Sequence, residues 1–266
     1  MFKHSKVSLI LPTFNEAESI RQVIDDFEAL GVVDEIIVVN NNAAPGTSEQ
    51  IATTSAQEVN EPKQGYGYAI RRGFTEAIGD LIVVCEPDGT FVPSDIYKFL
   101  AYSEDVPIVY GSRTVNNFIW QDANMGRFLK WGNRFTAKII EVLFNTNSLS
   151  DVGCTFRLIH RDALEVIEPH FNGGTNLFGL EMMLLGYRFG IASVQLQINY
   201  KQRVGKSSVT GDLWKAVKLG LEMIAIILMT RLRLERTFLS QMRLPVSVGR
   251  RRVYRMICRY RWNWSP

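Results

Sequence analysis

Short β-branched and apolar runs that end abruptly in polar segments recur at Val7 to Leu11, Glu35 to Val39 and Leu81 to Cys85. Apolar stretches with little alternation suit strands covered on both faces, as in a parallel sheet. After the first run, TFNEAESI places Asn15 and Glu18 at capping-box spacing, and Ile20, Val23, Ile24, Phe27 and Leu30 recur at helical spacing until Gly31. A polar turn over 40–46 and a short helix from Thr47 through Ile51 follow the second run. A strand over Gln57 to Asn60 and a glycine-bearing helix from Gly65 to Ala77 then lead to the third. Repeated strand–helix units of this length predict an α/β fold with a doubly wound, mostly parallel sheet and helices on both faces. Ligands of such sheets bind beyond the carboxyl ends of the strands, so the loops at Thr13, Asn40 and Glu86 should meet at one crevice.

The third run reads LIVVCEPDGTF. Pro87 stops the ladder, and Glu86 and Asp88, two apart in a segment that is not helical, can direct both carboxylates into one space. Unpaired carboxylates there are costly unless a cation joins them, and hard oxygen ligands suit Mg²⁺ or Mn²⁺ bridging to phosphates. Pro, Asp and Gly in a row also make a plain turn, so the residues alone leave both readings open. Gly65-Tyr-Gly67 fails as a dinucleotide fingerprint. The third glycine is missing, and Asn40, Asn41 and Asn42 stand where an acidic residue would read a ribose.

Cys85, Cys154 and Cys258 are widely separated, with no CxxC pair and no histidine at ligand spacing, which argues against disulfides and zinc. The start MFKHSKVSLILPTF has too short an apolar core for a signal peptide, so the catalytic part is expected in the cytosol. The net charge of +3 hides an asymmetry: residues 231–266 hold ten arginines against Glu235, and the rest of the chain is acidic. A basic arm on an acidic domain suits an anionic surface. Few aromatics interleave with these arginines before Tyr254, which disfavours nucleic acid as the partner.

Farther along, helices are expected over Asp95 to Tyr102, Trp131 to Phe144, from Asp162, and over Gly179 to Tyr187. Strands are expected at Ile108 to Gly111 and within Ile191 to Tyr200, and DVGCTFRLI at 151–159 should be a loop running into a strand. Gln202 to Ser208 reads as a mobile basic loop in which Arg203 and Lys206 could close over an anion. Asp212 to Arg231 reads as an amphipathic helix whose apolar run, Met223 to Met229, is far short of the roughly 20 residues that span a bilayer. It is expected to lie on a membrane surface, continued by the arginine tail, with a core or dimer helix as the alternative. Trp262 and Trp264 near the end would suit a membrane interface.

Six segments in order, LPTFNEAESI, EIIVVNNNAAPGT, KQGYGYAIRRGF, EPDGTFVPSDI, DVGCTFRL and RVGKSS, together with GSR at 111–113, resemble the family 2 glycosyltransferases of GT-A fold. The likeness is to the dolichol-phosphate-mannose-synthase-like branch and runs over roughly residues 6–231. It implies a catalytic domain over 1–210, with 211–266 as a membrane-associated helix and tail. It also implies that Pro12, Asn15, Glu16 and Gly65 line the nucleotide site and that Asn40 meets the base. Glu86 and Asp88 would hold a divalent metal and the diphosphate. Arg113, Arg157, Arg203 and Lys206 would gather around acceptor and leaving phosphates, with Arg127 and Lys130 as further candidates. The family often has Asp where this chain has Asn40, Asn41 and Glu86. An amide suits the imide edge of uracil better than guanine's paired donors, which favours a UDP-sugar.

The implied reaction is metal-dependent, inverting transfer of a sugar to a polyprenyl phosphate at the cytosolic face of a membrane. A phosphate nucleophile needs positioning rather than deprotonation, consistent with the lack of a poised histidine. A hydroxyl acceptor would instead need a carboxylate base, with Glu181 and Asp151 as candidates. A non-catalytic nucleotide-sugar sensor or membrane-docking protein is the alternative from another class.

Overall fold

The computed structural model describes residues 1–120, 127–204 and 213–241, the side chains of 127–129, 213–216 and 233–241 excepted. Seven strands form one sheet: β1 (Val7–Thr13), β2 (Glu35–Asn40), β3 (Gln57–Asn60), β4 (Leu81–Val84), β5 (Ile108–Ser112), β6 (Arg157–His160) and β7 (Ser193–Gln197). Their order is β3-β2-β1-β4-β6-β5-β7, and only β6 runs antiparallel to its neighbours. The chain winds outward from β1 to β3 and then returns to place β4 on the other side of β1. The crevice is therefore expected beyond the carboxyl ends of β1 and β4.

Side-chain alternation along each strand feeds two cores. On one face Ile10, Ile37 and Val84 meet α3 (Tyr66–Glu76), α5 (Arg127–Phe144), α6 (Arg161–Ile167) and α7 (Phe178–Arg188). On the other, Leu9, Leu11 and Val83 meet α1 (Ile20–Glu28), α2 (Thr47–Ile51) and α4 (Ile96–Tyr102). Both faces being buried explains why these strands read as nearly continuous apolar runs.

Two details depart from the sequence reading. No capping box forms at Asn15 and Glu18: α1 starts at Ile20 after Ser19, which makes no side-chain cap. Ser19 Oγ instead donates to the Pro87 carbonyl at 2.6 Å, tying the start of α1 to the acidic loop. The second departure is α8 (Leu213–Gln241), which does not stand apart from the domain. It packs on α5 and α7, with Ile227 fully buried and Met223 and Ile226 against the main core. Burying one such side chain contributes about 1.5–3 kcal/mol, so α8 is fastened to the catalytic fold while keeping an outward face. Among the described residues no helix is long and apolar enough to cross a membrane.

Candidate active site

The expected crevice is a pocket of ≈ 430 Å³. The end of β1 contributes Pro12 and Thr13 and the loop after it Phe14 and Glu16, and the loop after β4 contributes Glu86, Asp88 and Thr90. Arg113, Asn133, Thr155 and Arg157 line the middle, while Leu177 and Leu180 of the α7 region and Leu219 and Met223 of α8 form an apolar end.

The acidic loop makes the turn and leaves one carboxylate oxygen of Asp88 outside it. Asp88 Oδ1 accepts from Thr90 N at 3.0 Å and from Thr90 Oγ1 at 2.6 Å, an Asx turn around Gly89, whose φ is +75°. Asp88 Oδ2 remains free of the turn and faces Arg203 Nη1 at 3.1 Å. Arg203 Nη2 reaches Glu16 Oε1 at 2.9 Å, and its Nε, although buried, has no partner. The other Glu16 oxygen accepts from Phe14 N at 2.7 Å and Asn15 N at 2.8 Å. One guanidinium thus bridges carboxylates from two strand-end loops.

Burial pushes the pKa of Glu86 up to about 7, and the neighbouring Asp88 carboxylate adds to the rise, against the pull of Arg113 and Arg203. The pooled negative charge and hard oxygen donors fit a divalent cation. Among the described residues no three His, Cys, Asp or Glu side chains are grouped to hold a metal alone. Such an ion would take Asp88 and Glu86 and complete its shell from diphosphate oxygens and water.

A second acid–base pair sits deeper. Asp151 is fully buried and accepts from Arg113 N at 3.0 Å, Arg113 Nε at 2.9 Å and Arg113 Nη2 at 3.1 Å. Asn133 Nδ2 and Gly153 N also donate to it, at 3.1 and 2.9 Å. Burial alone would raise the Asp151 pKa, but Arg113 and these donors outweigh it and hold the carboxyl below its ordinary value. Asp151 is therefore saturated and is not placed to act as a base. Glu181 lies outside the pocket lining and accepts the Asn172 and Gly173 N–H groups at 2.8 Å each.

Pro12, Glu16, Glu86, Asp88, Arg113, Arg157 and Arg203 are brought together around the pocket. Arg157 is nevertheless occupied: Nε donates to Cys154 O at 2.7 Å, Nη2 to Val152 O at 3.3 Å, and Nη1 to Gly179 O. It braces the 152–154 loop against α7 rather than offering a free fork. Asn15 is exposed and outside the lining. Lys130 donates to Asn116 and also lies outside it. Lys206 and the Arg127 side chain lie outside the described residues.

Asn40, expected at the base, is turned elsewhere. Its Nδ2 donates to Glu58 at 2.8 Å and Ser48 at 3.2 Å, and its Oδ1 accepts from Ala43 N at 2.8 Å. β2 runs one residue beyond its apolar run, pairing Asn40 with Thr13, so strand alternation turns the Asn40 side chain to the side of Ser48 and Glu58. Asn41 lines the pocket instead. Its Nδ2 donates to Glu61 O at 2.7 Å and Lys63 O at 2.9 Å, and its Oδ1 accepts from Gly65 N at 2.8 Å and Gln64 Nε2 at 3.1 Å. Gly65 itself is not in the pocket lining; its φ is +147°, and a Cβ there would collide with the Gly174 carbonyl. Two further polar groups of the pocket wall have no signal in the sequence: the hydroxyls of Tyr66 and Thr155. No motif marks them, and only tertiary packing buries them.

The family model for "Glycosyl transferase family 2" matches residues 8–168, the segment that carries β1 to β6 and the acidic loop. The chain belongs to glycosyl transferase family 2. An uncharacterized glycosyltransferase of Mycobacterium bovis is 27% identical over 78% of this chain and 91% of its own length. The undecaprenyl-phosphate 4-deoxy-4-formamido-L-arabinose transferase of Proteus mirabilis is 23% identical over 76% of this chain and 61% of its own. Among solved structures, glucosyl-3-phosphoglycerate synthase from Mycobacterium tuberculosis, in complex with Mn²⁺, UDP and glucosyl-3-phosphoglycerate, superposes with a TM-score of 0.65 at 17% identity. That match covers 86% of this chain and 80% of the synthase. The fold of this family 2 glycosyltransferase is accordingly GT-A.

Proposed function

We infer that this glycosyltransferase moves a sugar from a UDP-sugar to a polyprenyl phosphate, with inversion at the anomeric carbon. The observation that carries the acceptor class is the state of the acids. Of the candidate bases for a hydroxyl acceptor, Asp151 is saturated by internal donors and Glu181 lies outside the pocket lining with a backbone N–H on each oxygen, whereas the carboxylates of the lining are Glu16, Glu86 and Asp88. An acceptor that is already anionic needs no base. Its phosphate oxygen attacks the anomeric carbon as the bond to the diphosphate breaks, and UDP departs.

Asp88 and Glu86 would hold a divalent ion, Mg²⁺ or Mn²⁺, which when bound neutralises charge growing on the leaving diphosphate. The Mycobacterium tuberculosis synthase, with Mn²⁺ and UDP bound, supports this choice of donor and metal. The Proteus mirabilis relative supports a lipid-linked acceptor. Arg203, released from Glu16 and Asp88, would offset phosphate charge, and Arg113 would present its edge to the acceptor. Asn41 rather than Asn40 would adjoin the base. The domain over 1–210, with 211–266 as a membrane-docking extension on the cytosolic side, completes the reading.

Incubation of the purified protein with Mn²⁺, labelled UDP-sugars, and either a short polyprenyl phosphate or simple saccharides tests it. Labelled lipid phosphate is the expected product. Product formed only on saccharides would overturn the acceptor class, and equal affinity for UDP and GDP would remove the donor preference.

A further inference from the structure

Helix α5 carries two apolar faces where a helix lying on a core needs one. Ala137 and Ile140 are fully buried, and Ile139, Leu143 and Phe144 pack beside them. Yet Trp131, Phe135 and Val142 are 70, 62 and 80% exposed. Positions 131, 135, 138 and 142 fall within an arc of roughly 60° at helical periodicity, so these three and Lys138 form one outward stripe, flanked by Arg134. Helix α8, packed against α5, repeats the pattern: Ile227 points inward, while Leu221, Leu228 and Leu232 are 63, 46 and 59% exposed and also share a stripe. Scattered exposed leucines need no explanation, but adjoining helices that each present a continuous apolar stripe mark a contact surface.

We propose that the outer faces of α5 and α8 together form a docking surface for an anionic lipid bilayer, with Trp131 and Phe135 entering the interface. The charge pattern selects this occupant. Residues 127–142 carry Arg127, Lys130, Arg134 and Lys138 against Glu141, and α8 carries Lys215, Lys218, Arg231, Arg233 and Arg236 against Glu222 and Glu235. A self-complementary contact with a second copy would set like charges opposite one another, whereas anionic headgroups pair with them. Tryptophan flanked by basic residues suits the level where headgroup meets acyl chain.

Position adds a second argument. The same helices wall the pocket, α5 through Asn133 and α8 through Leu219 and Met223, beside Leu177 and Leu180. The apolar wall of the cavity is thus supplied in part by α8, one of the two helices that would touch lipid, and suits the hydrocarbon tail of a bilayer-resident acceptor. This purpose rests on the lipid-phosphate reading above, but the docking itself does not.

The test is co-sedimentation of the full chain with vesicles of phosphatidylcholine alone or with added phosphatidylglycerol. The wild type is compared with a Trp131→Ser/Phe135→Ser double variant, with Val142→Ser, and with Ile78→Ser, an exposed apolar control at 70% exposure in the turn between α3 and β4. The double variant should lose about tenfold or more of its binding to anionic vesicles, Val142→Ser a smaller part, and Ile78→Ser none. Transfer to a short water-soluble prenyl phosphate without vesicles should stay within about twofold for all three, since none of these side chains lines the pocket. Unchanged vesicle binding by the double variant would overturn the proposal. A dimer in lipid-free solution that the double variant dissociates while vesicle binding persists would overturn it too. Absence of transfer to any prenyl phosphate would defeat the catalytic reading alone, and the vesicle result would still decide the docking surface.

Discussion

Two acid–base pairs face the same pocket, and they are built differently. Asp151 is fully buried and takes three donors from Arg113 plus one each from Asn133 and Gly153. Asp88 commits one oxygen to its own turn and shares the guanidinium of Arg203 with Glu16. Arg203 is also partly exposed and leaves its Nε without a partner. A fully satisfied buried network gains rigidity, whereas a shared contact with an idle donor can be exchanged for another cation. We therefore assign Asp151 to the scaffold that fixes Arg113, and propose the Asp88 pair as the working site.

The strongest way to break that division is Asp88→Ala. Transfer should fall by about 10³-fold, a loss of ~4 kcal/mol in transition-state stabilisation, with the melting temperature nearly unchanged. A large fall in melting temperature with activity retained would reverse the assignment. Asp151→Ala should do the opposite, costing about 3 kcal/mol of stability by stranding the Arg113 charge, as read by denaturant titration. Because folding depresses the Asp151 pKa, its stabilisation is present above the ordinary carboxylate range and is lost as pH falls through the depressed value. The stability gap between wild type and variant should therefore be full at pH 7 and close in strong acid.

Arg203→Gln sharpens the comparison by asking whether the guanidinium competes with the metal. Mn²⁺ without nucleotide should bind several-fold more tightly to the variant, by calorimetry, while the KM for donor rises about tenfold because a phosphate partner is gone. Tighter metal binding should disappear when Asp88 is also replaced. The smallest expected effect separates the neighbouring asparagines: Asn41→Ala should weaken UDP binding by about five- to tenfold, and Asn40→Ala by less than twofold. Equal losses would mean that Asn40 leaves its turn when nucleotide binds.

The sheet was legible because both of its faces are buried, so β1, β2 and β4 stand out as apolar runs and their polar ends mark the crevice. Glu86 and Asp88 were legible for the same reason, and Glu16 only through the family resemblance. What the chain conceals is parity and commitment. Asn40 is still part of the β2 ladder, so alternation turns it to Ser48 and Glu58 and leaves Asn41, the next residue, to line the pocket. Arg157 looks like any phosphate-binding arginine until its three carbonyl partners are seen. The reversed direction of β6 follows from the loop before it, which begins at the pocket with Asp151 and must run back down the sheet beside β4 and β5. Four residues are too few to show direction in a pattern of hydrophobicity.

The bare backbone contact at the start of α3 has its own consequence. Gly67 N donates to the Gly174 carbonyl at 3.0 Å, a Cβ at Gly65 or Gly174 would meet solid matter, and Asn41 clasps Gly65 N from behind. The nucleotide end and the wall before α7 are joined like the fixed jaw of a vice. Across the pocket, the segment bearing Arg203 meets the acidic loop through two backbone hydrogen bonds, Lys201 N to Thr90 O and Val204 N to Asp88 O. That second jaw is thus held to the acidic loop by backbone as well as by the Arg203 guanidinium, so exchanging the ion pair for a ligand need not release the segment that carries it.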